Sequence, residues 1–576
     1  MQTLRQQSRD YSGYAMIMTM VLSGVSLLLL SAALNWTSTS ARLVQRNNEF
    51  HGNASAAEAA IDKVVAKISN DYQASDEATV YSRLTDYQKL VPTQSENPLW
   101  SGYEFSNGSQ QVGKTYVDRL TAPAWGVLPS GYSSLQGTLA TYRIISNARN
   151  LDPSGQKSVS AVRRDIGLAS IPLFEFGIFY AVDMEFNPID TWTVTGPVHC
   201  NGTIYVEPAK TLTFNGKVTA TQKVVHDRSP KDPVDRTAAT IVYNAGRVEQ
   251  VKSLNLPLDG VLSPEYLREI IEVPPPSESA TSALGKQRFF NKADMIIYVT
   301  DTAVTATSGS YNAFATSVPS ATLTSILTTN LVMFDKRESI DMRLTELDIS
   351  LLNTKLASLT TLLGRQPKTI YIQDKRTPSP VAMSAVRLVN GLQLPAGGLT
   401  IATPNPLYVK GSYNAPTMVV KVNGKSTTVA DPSKRYGACL VSDALTFLSN
   451  SWKDNQSANS LSSRTVSAAA TLNAAVITGI VPSDGVYYSG GVEGTIRFLE
   501  YWGTRTMTWS GSVVVLYYSK EATAPWGASS DVYELPTRSW SWDSTFADPT
   551  KLPPGAPEIR TVIRSQWANV APGTIK

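Results

Sequence analysis

Between Tyr11 and Ala41 the chain carries no charged side chain, and no later stretch of the 576-residue sequence repeats such a run. Its apolar heart, Tyr14 to Leu34, is 21 residues long. As a helix this spans about 31 Å at 1.5 Å per residue, which matches a hydrocarbon core of about 30 Å. Arg5 and Arg9 precede the run and Arg42 and Arg46 follow it. The basic start predicts a cytoplasmic N-terminus, with the remaining chain on the far side of the inner membrane. Three readings fit: an export signal cut near Ser31-Ala32-Ala33, a retained anchor, or the shaft of a subunit that assembles.

The next segment narrows the choice. In "ASAAEAAIDKVVAKISNDY" (54 to 72), Ala57, Ile61, Val64, Val65 and Ile68 fall at i, i+4, i+7, i+8 and i+11. That spacing predicts an amphipathic helix. Anchor and amphipathic helix then read as one long rod over 14–75, loosened near Gly52.

The stretches "SGYAMIMTMVLSGVSLLLL" and "AAEAAIDKVV" resemble the N-terminus of type IV pilin-like proteins, in particular the PilX-like minor pilins. The resemblance covers about 60 residues and implies several things. A leader, residues 1–13, would be removed between Gly13 and Tyr14 by a prepilin peptidase. The new N-terminus would be methylated, and the helix would pack against other pilin-like subunits. One departure is Met18, at the fifth position counted from Tyr14, where major pilins carry glutamate. A carboxylate in the membrane must recover its desolvation cost through a partner. A subunit without one resembles minor and tip pilins.

Residues 76–172 read as a small α+β head. "TYVDRL", "ATYRIISNAR" and "VSAVRRDIGLASI" alternate apolar and polar residues and predict strands. From 173 to 545 the texture changes to runs of three to six residues punctuated by Gly, Asn and Pro. Strands are expected at 192–195, 198–200, 203–206, 212–214 and 218–221. Short strands at close spacing suit a sandwich, a barrel or a parallel β-helix. We favour a right-handed parallel β-helix, although no strict repeat period is evident. The fold class expected is therefore mainly β, with a pilin-like helix and head. Insertions are expected at 229–285 and 342–364, the second as a helix begun at "TELD" and stopped by Gly364. "VSDALTFLSNSW" (441–452) reads as another helix capped by Ser442 or Asp443, and the Pro-rich 546–576 as an extended strap. Within 175 to 560, "GPVHCNGTIYV" and "YYSGGVEGTIRFLEYW" resemble an uncharacterised domain that follows PilX-like N-termini in large bacterial surface proteins. That resemblance supplies no active site.

The chemistry-bearing residues are sparse. Two cysteines, Cys200 and Cys439, and three histidines give neither a CxxC nor an HExxH pattern. We expect no metal and no cofactor. Cys200 and Cys439 would bond if they fell on adjacent rungs; otherwise they are buried thiols. With 51 basic and 47 acidic residues and no basic face, nothing indicates nucleic acid. Asp183 with Glu185, the trio Asp335, Glu338 and Asp341, and Glu493 with Glu500 are the carboxylates a glycan-cleaving β-helix would use. Ordinary solvated or ion-paired acids fit them better. "GKST" (424–427) lacks the glycine of a phosphate loop and reads as a hairpin turn. The C-terminal aromatics, among them Trp502, Trp509, Trp526, Trp540 and Trp542, suit either a core or an exposed strip for a surface glycan or protein ligand. The function expected is a non-enzymatic minor or tip subunit of a pilus. The alternatives are an exported carbohydrate-active enzyme and a membrane-anchored envelope scaffold.

Overall fold

The computed structural model describes residues 12–109, 111–152, 158–237, 239–309, 317–422, 425–526 and 531–573. The expected leader lies outside these residues apart from Ser12 and Gly13. Helix α1 (Ser12–Ala74) is one uninterrupted run of 63 residues, about 95 Å long at 1.5 Å per residue. The loosening expected near Gly52 is absent. The predicted stripe is the buried one: Ala57, Ile61, Val64, Val65 and Ile68 are all 0% exposed. It packs on the head sheet, where each fully buried Val or Ile contributes about 1.5–3 kcal/mol.

That sheet contains β1 (Tyr103–Ser106), β2 (Tyr116–Val127), β3 (Gln136–Asn150) and β4 (Val159–Pro172). Both β1 and β2 pair antiparallel with β3, and β3 pairs with β4. Asp71 on α1 fastens the short helices that follow. It accepts from the Tyr87 hydroxyl at 2.8 Å and pairs with Lys67 and Arg83. The C-terminal segment corrects the sequence reading. Instead of ending as a strap, Glu558–Arg564 pairs antiparallel with β4, and Ala568–Val570 pairs further along the same strand. The prolines are confined to the turns before it, while "EIRTVIR" alternates buried and more exposed positions. Since Pro172 lies opposite Glu558, the whole body is an insertion between two neighbouring strands of the head.

The body begins with β5 (Ile178–Tyr180), β6 (Met184–Phe186), β7 (Trp192–Val194), β8 (Val198–Cys200), β9 (Ile204–Val206), β10 (Leu212–Phe214), β11 (Val218–Ala220), β12 (Val224–Val225), β13 (Ile241–Tyr243) and β14 (Arg247–Val248). They form three parallel ladders: β5-β8-β11-β14, β6-β9-β12 and β7-β10-β13. A repeat of 20 residues underlies them. Ile178 pairs with Val198 and that with Val218, while Met184 pairs with Ile204 and that with Val224. Polar contacts keep the same step. Thr203 N–H donates to Asp183, Glu207 N–H donates to Asn187, and Lys210 pairs with Asp190, each at 2.7 Å and each 20 residues apart. The period that sequence reading missed is therefore present. At Gly216 the rungs lie so close that a Cβ would fall 1.9 Å from the Gly196 carbonyl oxygen. Only glycine fits there.

The insertion expected at 229–285 is interrupted, because β13 and β14 return the chain to the ladders. The excursion proper follows β14 and carries the short helix Pro264–Arg268. Beyond it, Met295–Val299, Thr369–Asp374, Leu399–Ala402, Ala438–Ser442, Ala475–Ile480 and Val513–Tyr518 stack parallel in that order. The last of these pairs parallel with β5. The chain thus enters the stack at its middle, runs to one end at β14, crosses to the other end, and winds back to meet its own starting strand. A six-stranded sheet from Leu327–Asp335 to Ile496–Arg497 and a three-stranded sheet ending in Thr537–Trp542 provide the other faces of this second half.

Two expected helices differ. In 342–364 the first residues belong to the strand Ile340–Asp348, and the helix runs from Ile349 to Leu363. Asp348 caps it by accepting from Leu351 N–H, and Gly364 stops it at φ 73°. The stretch at 441–452 is not a helix: Ala438–Ser442 and Leu445–Leu448 are strands. Every residue from 441 to 449 is buried. A surface helix would leave one face in water, whereas a rung between two others leaves none.

Candidate functional site

Two regions carry functional chemistry: the uncovered half of α1, and the acidic groups of the body. Along α1 the head sheet covers the C-terminal half and nothing covers the rest. Tyr14 is 80% exposed, Leu28 72% and Trp36 74%. The apolar window has a mean hydropathy of 2.2 and none of it is buried, so the helix is long and apolar enough to cross a membrane. Gly13 and Tyr14 lie in its first turn, with space around Gly13 for a larger residue. Met18 points outward at 67% exposure. Arg42 and Arg46 are exposed just past the apolar stretch. An apolar surface of this length in water is unstable unless lipid or other helices cover it.

The carboxylates divide by structural task. Asp183 is exposed and tied to the next rung through Thr203, while Glu185 is buried and accepts from the Ser483 hydroxyl at 2.6 Å. They do not form a cleft pair. Asp335 accepts from the Tyr408 hydroxyl and from Arg337 and Glu338 N–H, Glu338 pairs with Arg497, and Asp341 is exposed. Glu500 accepts from Ser449 N–H and Oγ, both at 2.6 Å. Burial pushes Glu500 and Glu185 up to about 7.

The structure does bring Glu185 together with Glu493, a pairing that sequence spacing did not suggest. Residue 185 bridges in parallel to Gly491, and Glu493 accepts from the Tyr488 hydroxyl. Burial raises Glu493, and each acid adds to the other's rise. The two acids lie 308 positions apart in sequence, which is why no local signal could have joined them. Among the described residues no group of three or more His, Cys, Asp or Glu could hold a metal ion.

Both cysteines are free and buried. They share one ladder, but four strand-to-strand steps separate β8 from Ala438–Ser442. At about 4.8 Å per step this is about 19 Å, far beyond the reach of a disulfide. The adjacent-rung expectation is thereby corrected. Cys200 donates to the Val182 carbonyl, and burial pushes its thiol up to about 12.

Phe498, Trp502, Trp509 and Tyr517 are buried, so most of the C-terminal aromatic band is core. Trp542 joins head to body by donating to the Phe174 carbonyl at 3.0 Å. The "GKST" stretch lies in an antiparallel hairpin, Thr417–Val422 with Lys425–Ala430, whose turn with Gly424 falls outside the described residues.

No protein-family model matches the chain, and no curated protein matches it significantly. Among solved structures it is similar to the competence-associated pilin ComZ from Thermus thermophilus. That similarity covers 89% of this chain and 96% of that one, at 9% identity and a TM-score of 0.28.

Proposed function

We propose that this chain is a non-enzymatic minor or tip subunit of a type IV pilus or related filament. It would display its β-rich body for contact with a surface glycan or protein. The observation that carries the reading is the single rigid rod of α1. Half of it is fixed to a sheet by the Ala57-to-Ile68 stripe, and half presents an uncovered apolar surface of membrane length. Prepilin peptidase would cut between Gly13 and Tyr14, leaving the helix in the inner membrane with the body outside until other pilin-like subunits cover it. Met18 in place of a carboxylate needs no partner amine. The body, inserted between β4 and Glu558–Arg564, adds bulk that favours a terminal over a repeating position. We further infer that the three sets of parallel ladders are faces of one right-handed parallel β-helix.

Intact-mass and N-terminal peptide analysis of the native protein tests this. We expect a methylated start at Tyr14, and Gly13→Asp should retain the leader and remove the protein from sheared filaments. A mature start at Met1 or near Leu34, or an unchanged Gly13→Asp variant, would refute the proposal.

A further inference from the structure

The two halves of the body meet at a seam. On one face they are joined by a parallel pairing of Val513–Tyr518 with β5, but on another β7 and Thr537–Trp542 belong to separate sheets. Their C-terminal ends touch, where Trp542 N–H donates to the Thr195 hydroxyl at 2.6 Å. Their N-terminal ends splay apart. The result is a cleft of about 520 Å³ lined by Asp190, Trp192, Thr193, Thr537, Arg538 and Trp540, among others. Its volume lies within the roughly 300–1,000 Å³ of small-ligand sites.

The centre of the cleft is Arg538. Its guanidinium lies 5.4 Å from the Trp192 ring centroid and 5.3 Å from that of Trp540. The two rings meet edge to face, 5.2 Å apart. Among the described residues Arg538 forms no ion pair. One Nη donates to the Glu493 carbonyl at 3.0 Å, while its Nε and the Trp540 indole N–H are buried without partners. A half-buried cation with unused donors between two indoles is costly unless an anion completes it. Asp190 at the rim does not do so, since it is engaged with Lys210 at 2.7 Å. Pro188 and Pro536 border the cleft. Lacking N–H groups, they offer no ladder to an added peptide strand, so recognition falls to side chains. Indole surfaces, hydroxyls and a forked guanidinium suit an amphipathic ring that bears a carboxylate.

We propose that this cleft binds an acidic saccharide, its carboxylate on Arg538 and its ring against Trp192 and Trp540. The site deepens the display function proposed above and rests on it only for the ligand's access. Binding is therefore measured on the detergent-solubilised full chain, where no filament is needed. Tryptophan fluorescence and calorimetry would follow titration with sialyl-, glucuronyl- and galacturonyl-oligosaccharides, their neutral parents, and an oligo-glutamate peptide. We expect at least one acidic saccharide to bind, with its neutral parent weaker by about tenfold or more. Arg538→Gln should weaken it by a similar factor, Arg538→Lys should recover part of the loss, and Trp540→Ala should also weaken it. Near-UV circular dichroism must stay unchanged in the variants used. Absence of saturable binding by every acidic saccharide would overturn the proposal. So would equal affinity for the neutral parents or the peptide, or unaltered affinity in a folded Arg538→Gln protein.

Discussion

Asp443 is expected to be the side chain whose loss most damages the body. It is 0% exposed and sits in the turn between Ala438–Ser442 and Leu445–Leu448. Its carboxylate accepts from Arg268 at 2.6 Å and from the backbone N–H groups of Lys520, Glu521 and Ala522 at 2.7, 3.2 and 2.8 Å. One buried group thus ties the excursion, through helix Pro264–Arg268, to the end of the last rung. Asp443→Ala would leave three backbone donors without an acceptor and strip Arg268, itself 6% exposed, of its closest anion. Breaking a buried pair from one side costs about 3–5 kcal/mol. Glu272 remains within 3.0 Å of Arg268, which places the expectation near the lower end of that range. Asp443→Asn, which keeps one acceptor oxygen, should cost less. Urea denaturation of the detergent-solubilised chain, followed by near-UV circular dichroism, measures both variants. A double-mutant cycle with Arg268→Met should show a coupling of about 2 kcal/mol. A loss below about 1 kcal/mol for Asp443→Ala, with coupling near zero, would refute the reasoning that the charge is desolvated and interlocked.

Two further outcomes follow from burial. Glu175, at the junction of head and body, is 2% exposed with one oxygen unpartnered, and burial pushes it up from 4.5 to about 7. A raised carboxyl stabilises the fold fully below about pH 4.5, and that contribution is lost as pH rises to about 7. Glu175→Gln should therefore flatten the decline of stability across that window, by on the order of 1–3 kcal/mol at pH 8. Comparing the two pH curves cancels the opposite effect of His199, which burial holds down to about 4; superimposable curves would refute the assignment. Cys200 and Cys439 should both resist alkylation in the native protein and both react after unfolding without reductant. A single two-hydrogen mass deficit removed by reduction would instead show a bond.

Some of the protein was legible because it is local. An uncharged run of membrane length, a stripe at helical spacing and a strand at "ATYRIISNAR" are properties of neighbouring residues, and hydropathy alone fixes them. The 20-residue step was equally local, written in Asp183/Thr203, Asn187/Glu207 and Asp190/Lys210, but no recurring residue type advertised it. Other features lay beyond any window. Ser442 and Asp443 looked like helix caps because cap and buried staple use the same side chains. Only the rungs above and below show that "VSDALTFLS" has no wet face. The closing of the head by Glu558–Arg564 pairs β4 with a strand almost four hundred residues later, and Val513–Tyr518 must find β5 across a similar gap. Sequence therefore determined the rod, the stripe and the strand-forming runs. Tertiary pairing decided the order of the stack, the separation of the cysteines, and the seam that leaves Arg538 between two indoles. Burial and hydrogen bonding there depend on which distant backbone comes to lie 4.8 Å away.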